Sequence, residues 1–175
     1  MKIFLLGFMG AGKSYVGKAL AAKIGFDFYD LDQVIEELTQ RSISQIFEQG
    51  GEDHFRELEQ SALHQFKSST NAIIALGGGT PCFFDNMDWI NANGISVYIK
   101  ASTEVLFHRL RNEMNHRPLL QNLSAAALPD FLRNKISIRS EFYEQAQIHY
   151  LLNDLDQDVI GELCNCIVRL MGKEF

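Results

Sequence analysis

The chain has 175 residues, 46% of them hydrophobic and 22% charged. That fits one domain able to bury roughly 70% of its unfolded surface, and it excludes a disordered or low-complexity chain. Lys and Arg number 16 against 22 Asp and Glu, a formal net charge of −6, which is the wrong sign for a protein whose main partner is nucleic acid.

KIFLL at 2–6 reads as a buried strand rather than a leader, because Lys13 and Lys18 follow at once and no cleavage site closes the apolar run. No apolar run approaches the roughly 20 residues of a membrane span. Over 13–24, Val16, Ala19, Leu20 and Ile24 share one helical face, and Gly25 supplies the stop. FDFYD at 26–30 alternates like a strand. Helical patterns follow at 32–39, 42–49 and 51–67, with Ser42 and Gln45 spaced as a capping box. AIIAL at 72–76 is a short continuous apolar run, as in a central parallel strand, and Gly77-Gly78-Gly79 follows it. Asp85 is placed to cap a helix ending near Gly94, ISVYIK at 95–100 is the next strand, and Ser102 caps a helix over 103–112. Residues 113–123 lack periodicity. A helix runs from Pro129 to Ala146, HYLLN at 149–153 is the last strand, and Val159, Leu163, Cys166, Ile167 and Leu170 give a final helix one apolar face. The three cysteines, Cys82, Cys164 and Cys166, match no zinc spacing and read as reduced thiols of a cytoplasmic protein. The alternation predicts an α/β fold of three layers, with a parallel sheet between helices and ligands at the carboxyl ends of the strands.

Gly7-Phe8-Met9-Gly10-Ala11-Gly12-Lys13-Ser14 matches the phosphate-loop pattern G-x-x-x-x-G-K-[ST] between a strand and a helix. Glycines let the backbone N–H groups curl around phosphate oxygens, and the helix N-terminus adds its positive end. Lys13 can reach the β- and γ-phosphates of ATP, and the Ser14 hydroxyl can coordinate Mg²⁺. Tyr15 stands where many such loops carry a small hydroxyl residue. A carboxylate of Asp30-Leu31-Asp32 could orient an acceptor hydroxyl, take its proton, or hold a metal-bound water, although Asp32 taken alone reads first as a helix N-cap before VIEEL. Arg56 and Glu59, taken singly, read as an exposed i, i+3 pair. Three glycines after AIIAL allow a ligand close to the backbone.

GFMGAGKS, YDLD, EDHFRELE, ALGGG, RPLL and R-x-x-x-Y-x-x-A occur from Gly7 to about Ala146. In order and approximate spacing they resemble shikimate kinases. The resemblance implies a single domain over 1–175 with a five-stranded parallel sheet of the nucleoside-monophosphate-kinase type. A mobile lid at about 112–123 and a substrate-binding helical segment at about 32–67 would belong to it. It implies transfer of the γ-phosphoryl group of ATP to the 3-hydroxyl of shikimate. Catalysis would fall to Asp32, Lys13 and Arg117. ATP would be held by Gly10, Ala11, Gly12, Lys13, Ser14, Tyr15, Arg109 and Arg117. Shikimate would meet Asp32, Arg56, Gly77, Gly78, Gly79 and Arg139, with the two arginines on its carboxylate. Mg²⁺ would be bound by Ser14 and, through water, by Asp30 and Asp32. The expected partners are these small molecules, with no nucleic acid and no membrane, and the expected state is a cytoplasmic monomer. The chain departs from the family pattern at Tyr15, at Leu31, and in a stretch from Arg117 to Arg139 that is a few residues longer than usual. Two other readings stay open at this point: a gluconate or nucleoside-monophosphate kinase, and a catalytically silent nucleotide-binding module.

Arg117 lies in the segment without periodicity, beside Pro118. If a closing lid carries it, its charge acts while the phosphoryl group is in transit. Arg117→Ala should then lower kcat about tenfold or more and change the acceptor KM less. An unchanged kcat in steady-state kinetics would make Arg117 an ordinary surface residue.

Overall fold

Strand β1 (Lys2–Leu6) forms the centre of a five-stranded sheet because it is apolar on both faces. In this computed structural model, residues 1–114, 120, 123–152 and 159–171 are described. The other strands are β2 (Asp27–Asp30), β3 (Ala72–Ala75), β4 (Ile95–Ala101) and β5 (Ile148–Leu152). Their order is β2-β3-β1-β4-β5, and every pair is parallel.

Side chains alternate across β1. Ile3 and Leu5 enter one core, together with Val16 and Leu20 of α1 (Lys13–Ile24), Leu106 of α5 (Thr103–Leu110), and Leu163, Cys164 and Ile167 of α7 (Val159–Met171). Phe4 and Leu6 enter the other, against α2 (Leu31–Thr39), α3 (Ile43–Gln65) and α4 (Asn86–Asn93). Each fully buried Leu, Ile or Phe is worth about 1.5–3 kcal/mol, so this double layer anchors the sheet. Helix α6 (Leu128–Tyr143) joins the two cores, with Leu128 and Leu132 in the first and Tyr143 in the second.

The helix patterns at 42–49 and 51–67 are two helical stretches that α3 joins across a kink at Gly51, whose non-helical φ of 73° only glycine adopts readily. Its capping box is made: Gln45 N donates to Ser42 Oγ at 3.3 Å and Ser42 N to Gln45 Oε1 at 2.9 Å. Asp85 sits at the N-cap position of α4, but its carboxylate accepts from Gln60 Nε2 at 2.9 Å instead of from the helix backbone. Helix α5 ends two residues earlier than its sequence pattern, and α6 three residues earlier, at Tyr143, where the Ala146 N–H turns back to the Tyr143 carbonyl. Most of the segment at 112–123, including Arg117, lies outside the described residues.

The strand order positions the site. β3 lies between β2 and β1, so Asp30 at the end of β2, the glycines after β3 and the loop after β1 all emerge side by side. Gly7 leaves β1 with φ 140°, and a Cβ there would stand 2.5 Å from the Ile99 carbonyl oxygen. Gly7→Ala should cost about 2–3 kcal/mol, read as a lower urea midpoint at unchanged m. An unaltered midpoint would remove the claim of strain.

Candidate active site

The loop after β1 curls through left-handed glycines, Gly10 at φ 79° and Gly12 at φ 91°, and Gly12 caps α1. The positive end of α1 thereby faces a cavity of about 890 Å³ lined by Gly10, Gly12, Lys13, Ser14, Tyr15, Asp30, Asp32 and Arg109. Lys13 Nζ donates to the Gly7 and Phe8 carbonyls at 2.9 and 3.1 Å, which parks its charge over the loop. Arg109 Nη1 donates to the Gly10 carbonyl at 2.8 Å, so it is this member of the His108–Arg111 run that meets the loop. Tyr15 is 68% exposed on the cavity wall. Ala11 belongs to the expected ATP-binding set through its backbone alone. It is buried in the core, and its N–H is spent on the Phe8 carbonyl at 3.1 Å.

Asp30, not Asp32, is the N-cap of α2. Its Oδ1 accepts from the Asp32 N–H at 3.2 Å, and its Oδ2 accepts from Ser14 Oγ at 2.7 Å. The Asp32 side chain is thereby left to point into the site, where it lines both the first cavity and a second one of about 370 Å³. Met9, Gly77 and Gly78 line both cavities as well.

The second cavity holds Arg56, Glu59, Gly79 and Arg139. The expectation of an exposed Arg56–Glu59 pair is corrected: Arg56 is 4% and Glu59 0% exposed. Phe55, Glu59, Ala62, Leu63 and Phe66 form one buried stripe at helical spacing. Glu59 in the middle of that stripe was the available signal. Arg56 Nη1 reaches Glu59 Oε2 at 2.8 Å, while its Nε and Nη2 reach Glu52 Oε1 at 3.2 and 2.8 Å. Its guanidinium lies 4.3 Å from the Phe83 ring centroid and 5.0 Å from that of Phe55. Burial disfavours the charge on Arg56, but Glu59 and Glu52 outweigh burial and raise its pKa. Thr80 Oγ1 donates to the other Glu59 oxygen at 2.5 Å, a residue the motifs did not single out. Arg139 comes from α6 and lies with its guanidinium 5.4 Å from the Phe8 ring centroid.

The glycines make room for these side chains as well as for a ligand. A Cβ at Gly77 would stand 2.6 Å from Glu59 Oε1 and 3.2 Å from Asp32 Oδ1. One at Gly79 would stand 2.7 Å from both terminal nitrogens of Arg56.

A family model for shikimate kinase matches residues 9–168. This chain belongs to the shikimate kinase family. It is 43% identical over 155 residues to a shikimate kinase of Phocaeicola vulgatus, covering 89% of each chain. It is 39% identical over 171 residues to one of Parabacteroides distasonis, covering 97% of this chain and 99% of the relative. The crystal structure of shikimate kinase from Bacteroides thetaiotaomicron superposes with a TM-score of 0.89 at 39% identity, covering 98% of both chains. Shikimate kinase from Acinetobacter baumannii in complex with shikimate superposes with a TM-score of 0.83 at 34% identity, covering 97% of this chain and 92% of that one.

Shikimate kinases are ATP-dependent, and the donor set beside this phosphate loop suits the divalent cation that accompanies ATP. Ser14 gives its proton to Asp30, so its oxygen lone pairs remain available to a hard cation. Among the described residues no group of three or more His, Cys, Asp or Glu could hold a metal, and none has a helix long and apolar enough to cross a membrane. The remaining ligands would therefore be phosphate and water, the usual company of Mg²⁺.

Burial pushes the Asp32 carboxyl up to about 6, and the charges of Asp30 and Glu59 push the same way against the pull of Lys13 and Arg56. The folded protein thus holds this proton more tightly than the unfolded chain. The resulting stability is full below the unfolded value of 3.8 and is lost as pH rises through about 6. Asp32→Asn should therefore be more stable than the wild type by about 2 kcal/mol near neutral pH, an advantage that fades toward acid. Activity should fall by orders of magnitude in the variant, and the wild-type kcat/KM should fall as pH drops through about 6, where Asp32 takes up its proton. Thermal melts in which Asp32→Asn is less stable than wild type at neutral pH would contradict the assignment.

Proposed function

We propose that this chain transfers the γ-phosphoryl group of ATP to the 3-hydroxyl of shikimate, giving shikimate 3-phosphate and ADP on the route to chorismate and the aromatic amino acids. The observation that carries this reading is the meeting of two cavities at Asp32: one lined by the phosphate loop, the other by two buried arginines. A small acceptor with a hydroxyl at one end and a carboxylate at the other fits that division.

Lys13, the Gly10 and Gly12 backbone, Ser14, Tyr15 and Arg109 hold ATP. Ser14 would hold Mg²⁺ through its hydroxyl oxygen, with Asp30 and Asp32 reaching it through water. The ion neutralises phosphate charge when bound. Asp32 orients the attacking hydroxyl and accepts its proton as the bond from phosphorus to the new oxygen forms and the bond to ADP breaks. An aspartate with a raised pKa suits that step, because it is a stronger base than an ordinary carboxylate and still ionised near neutrality. Arg117, on a lid at about 112–123, meets the phosphates. Gly77, Gly78 and Gly79 floor the acceptor site, which the segment at about 32–67 largely encloses. The whole chain acts as a single domain, a monomer in the cytoplasm.

Release of ADP with a panel of shikimate, gluconate and nucleoside monophosphates tests the reading. Turnover with shikimate alone is expected. Comparable turnover with gluconate or a nucleotide would overturn it.

Arg56 has five N–H groups, of which three are engaged by Glu52 and Glu59. One on each terminal nitrogen is left to grip a carboxylate with both. Lysine keeps the charge but not the fork. Arg56→Lys should lower kcat/KM for shikimate about tenfold or more and leave the KM for ATP nearly unchanged, with Arg139→Lys acting in the same direction. An acceptor lacking the carboxylate should barely distinguish these variants from the wild type. If Arg56→Lys leaves kcat/KM for shikimate untouched, the carboxylate clamp is wrong.

A further inference from the structure

Tyr143 is fully buried, and its hydroxyl donates to the Gly78 carbonyl across 65 residues of sequence. Its ring packs on Tyr98 with centroids 5.0 Å apart. It stands one helical turn after Arg139 on α6, so one short stretch of helix carries both a cationic wall of the acceptor cavity and a hydrogen bond to its floor. Burial raises the pKa of the phenol while Arg139 pulls it down, so the hydroxyl feels that guanidinium as well as the floor.

The bond determines how the Gly78–Gly79 peptide is turned. Among the described residues there is no cis peptide, and in a trans peptide the N–H points opposite to the C=O. With the Gly78 carbonyl drawn back to Tyr143, the Gly79 N–H faces the other way, toward the cavity that Gly78 and Gly79 line. Thr80 N and Cys82 N donate to Gly77 and Gly79 carbonyls at 3.2 and 2.8 Å, but among the described residues the Gly79 N–H has no such partner. The two guanidiniums flank this peptide: a Cβ at Gly78 would stand 3.3 Å from Arg139 Nη1, and one at Gly79 2.7 Å from Arg56.

We propose that Tyr143 is a positioning residue, whose hydroxyl holds the Gly78–Gly79 peptide so that the Gly79 N–H joins Arg56 and Arg139 in gripping the acceptor carboxylate. This rests on the acceptor reading given above. Without the hydroxyl the buried Gly78 carbonyl loses its partner, the peptide can rotate, and one of three donors to the carboxylate is lost. The nucleotide cavity shares Gly78 but not the Gly79 N–H, so ATP binding is largely spared.

Tyr143→Phe keeps the ring and removes only the hydroxyl. The KM for shikimate should rise about five- to tenfold, with the KM for ATP and kcat within about twofold of wild type. An acceptor lacking the carboxylate should show no such penalty. A purely structural role would instead reduce the active fraction, lowering kcat for both acceptors and leaving both KM values alone; that result overturns the proposal, as does an unchanged KM for shikimate.

A second measurement on the wild type needs no variant to fold. Labelling glycine with carbonyl ¹³C and amide ¹⁵N selects the amides that follow a glycine, those of Gly51, Gly78 and Gly79. Shikimate should move the Gly79 proton downfield, and the analogue without a carboxylate should not. A Gly79 amide indifferent to shikimate in an enzyme that phosphorylates it overturns the proposal alone. A wild type that does not phosphorylate shikimate overturns the functional reading as well.

Discussion

The buried pairing of Arg56 with Glu59 is the constraint around which the acceptor side is built. Taking both charges out of water is expensive, and their attraction compensates only when the geometry is good and the remaining polar atoms are satisfied. Here they are: Glu59 uses one oxygen for Arg56 and the other for Thr80, and Arg56 also reaches Glu52. Breaking such a pair from one side would leave an uncompensated charge inside the protein. Its consequences extend to the backbone, since a Cβ at Gly77 would stand 2.6 Å from Glu59 and one at Gly79 2.7 Å from Arg56. They extend to Asp32 too, because the Glu59 carboxylate is one of the charges that raise its pKa.

The nucleotide side is organised differently. There the electrostatics come mainly from the backbone, as the N-terminus of α1 and a loop of left-handed glycines. Its side chains are held in place by that backbone: Lys13 on the Gly7 and Phe8 carbonyls, Arg109 on the Gly10 carbonyl. Asp30 links the two sides. It caps α2, holds the Ser14 hydroxyl, and frees Asp32 to sit at the boundary. A phosphoryl transfer asks for positioned groups of opposite preference on either side of the transferred atom, and this division supplies them.

Much of this was legible along the chain because the signals are local. A phosphate loop is a statement about successive φ angles and an adjacent helix end, so eight consecutive residues suffice. The five strands, the Ser42–Gln45 box and the Gly25 stop likewise depend on residues within a turn or two of one another. Where local rules had two solutions they misled. Asp30 and Asp32 are both able to cap a helix, and only the hydrogen bond from Ser14, which holds the Asp30 carboxylate, separates them. Arg56 and Glu59 make the same i, i+3 pair on an exposed face as on a buried one, and what distinguishes the faces is the packing of α3 on the sheet.

The sequence by itself determined that a parallel α/β domain would carry a phosphate loop at the end of its first strand. It also determined which short motifs deserved attention as an acceptor site. Only the tertiary structure decided that β3 inserts between β2 and β1 and so sets Asp32 and the glycines beside that loop. Only it decided that α6 reaches both cores and delivers Arg139 and Tyr143 to the floor. Strand order and helix docking follow from the burial of apolar surface summed over the whole chain. That quantity is non-directional, and no window of a few residues contains it.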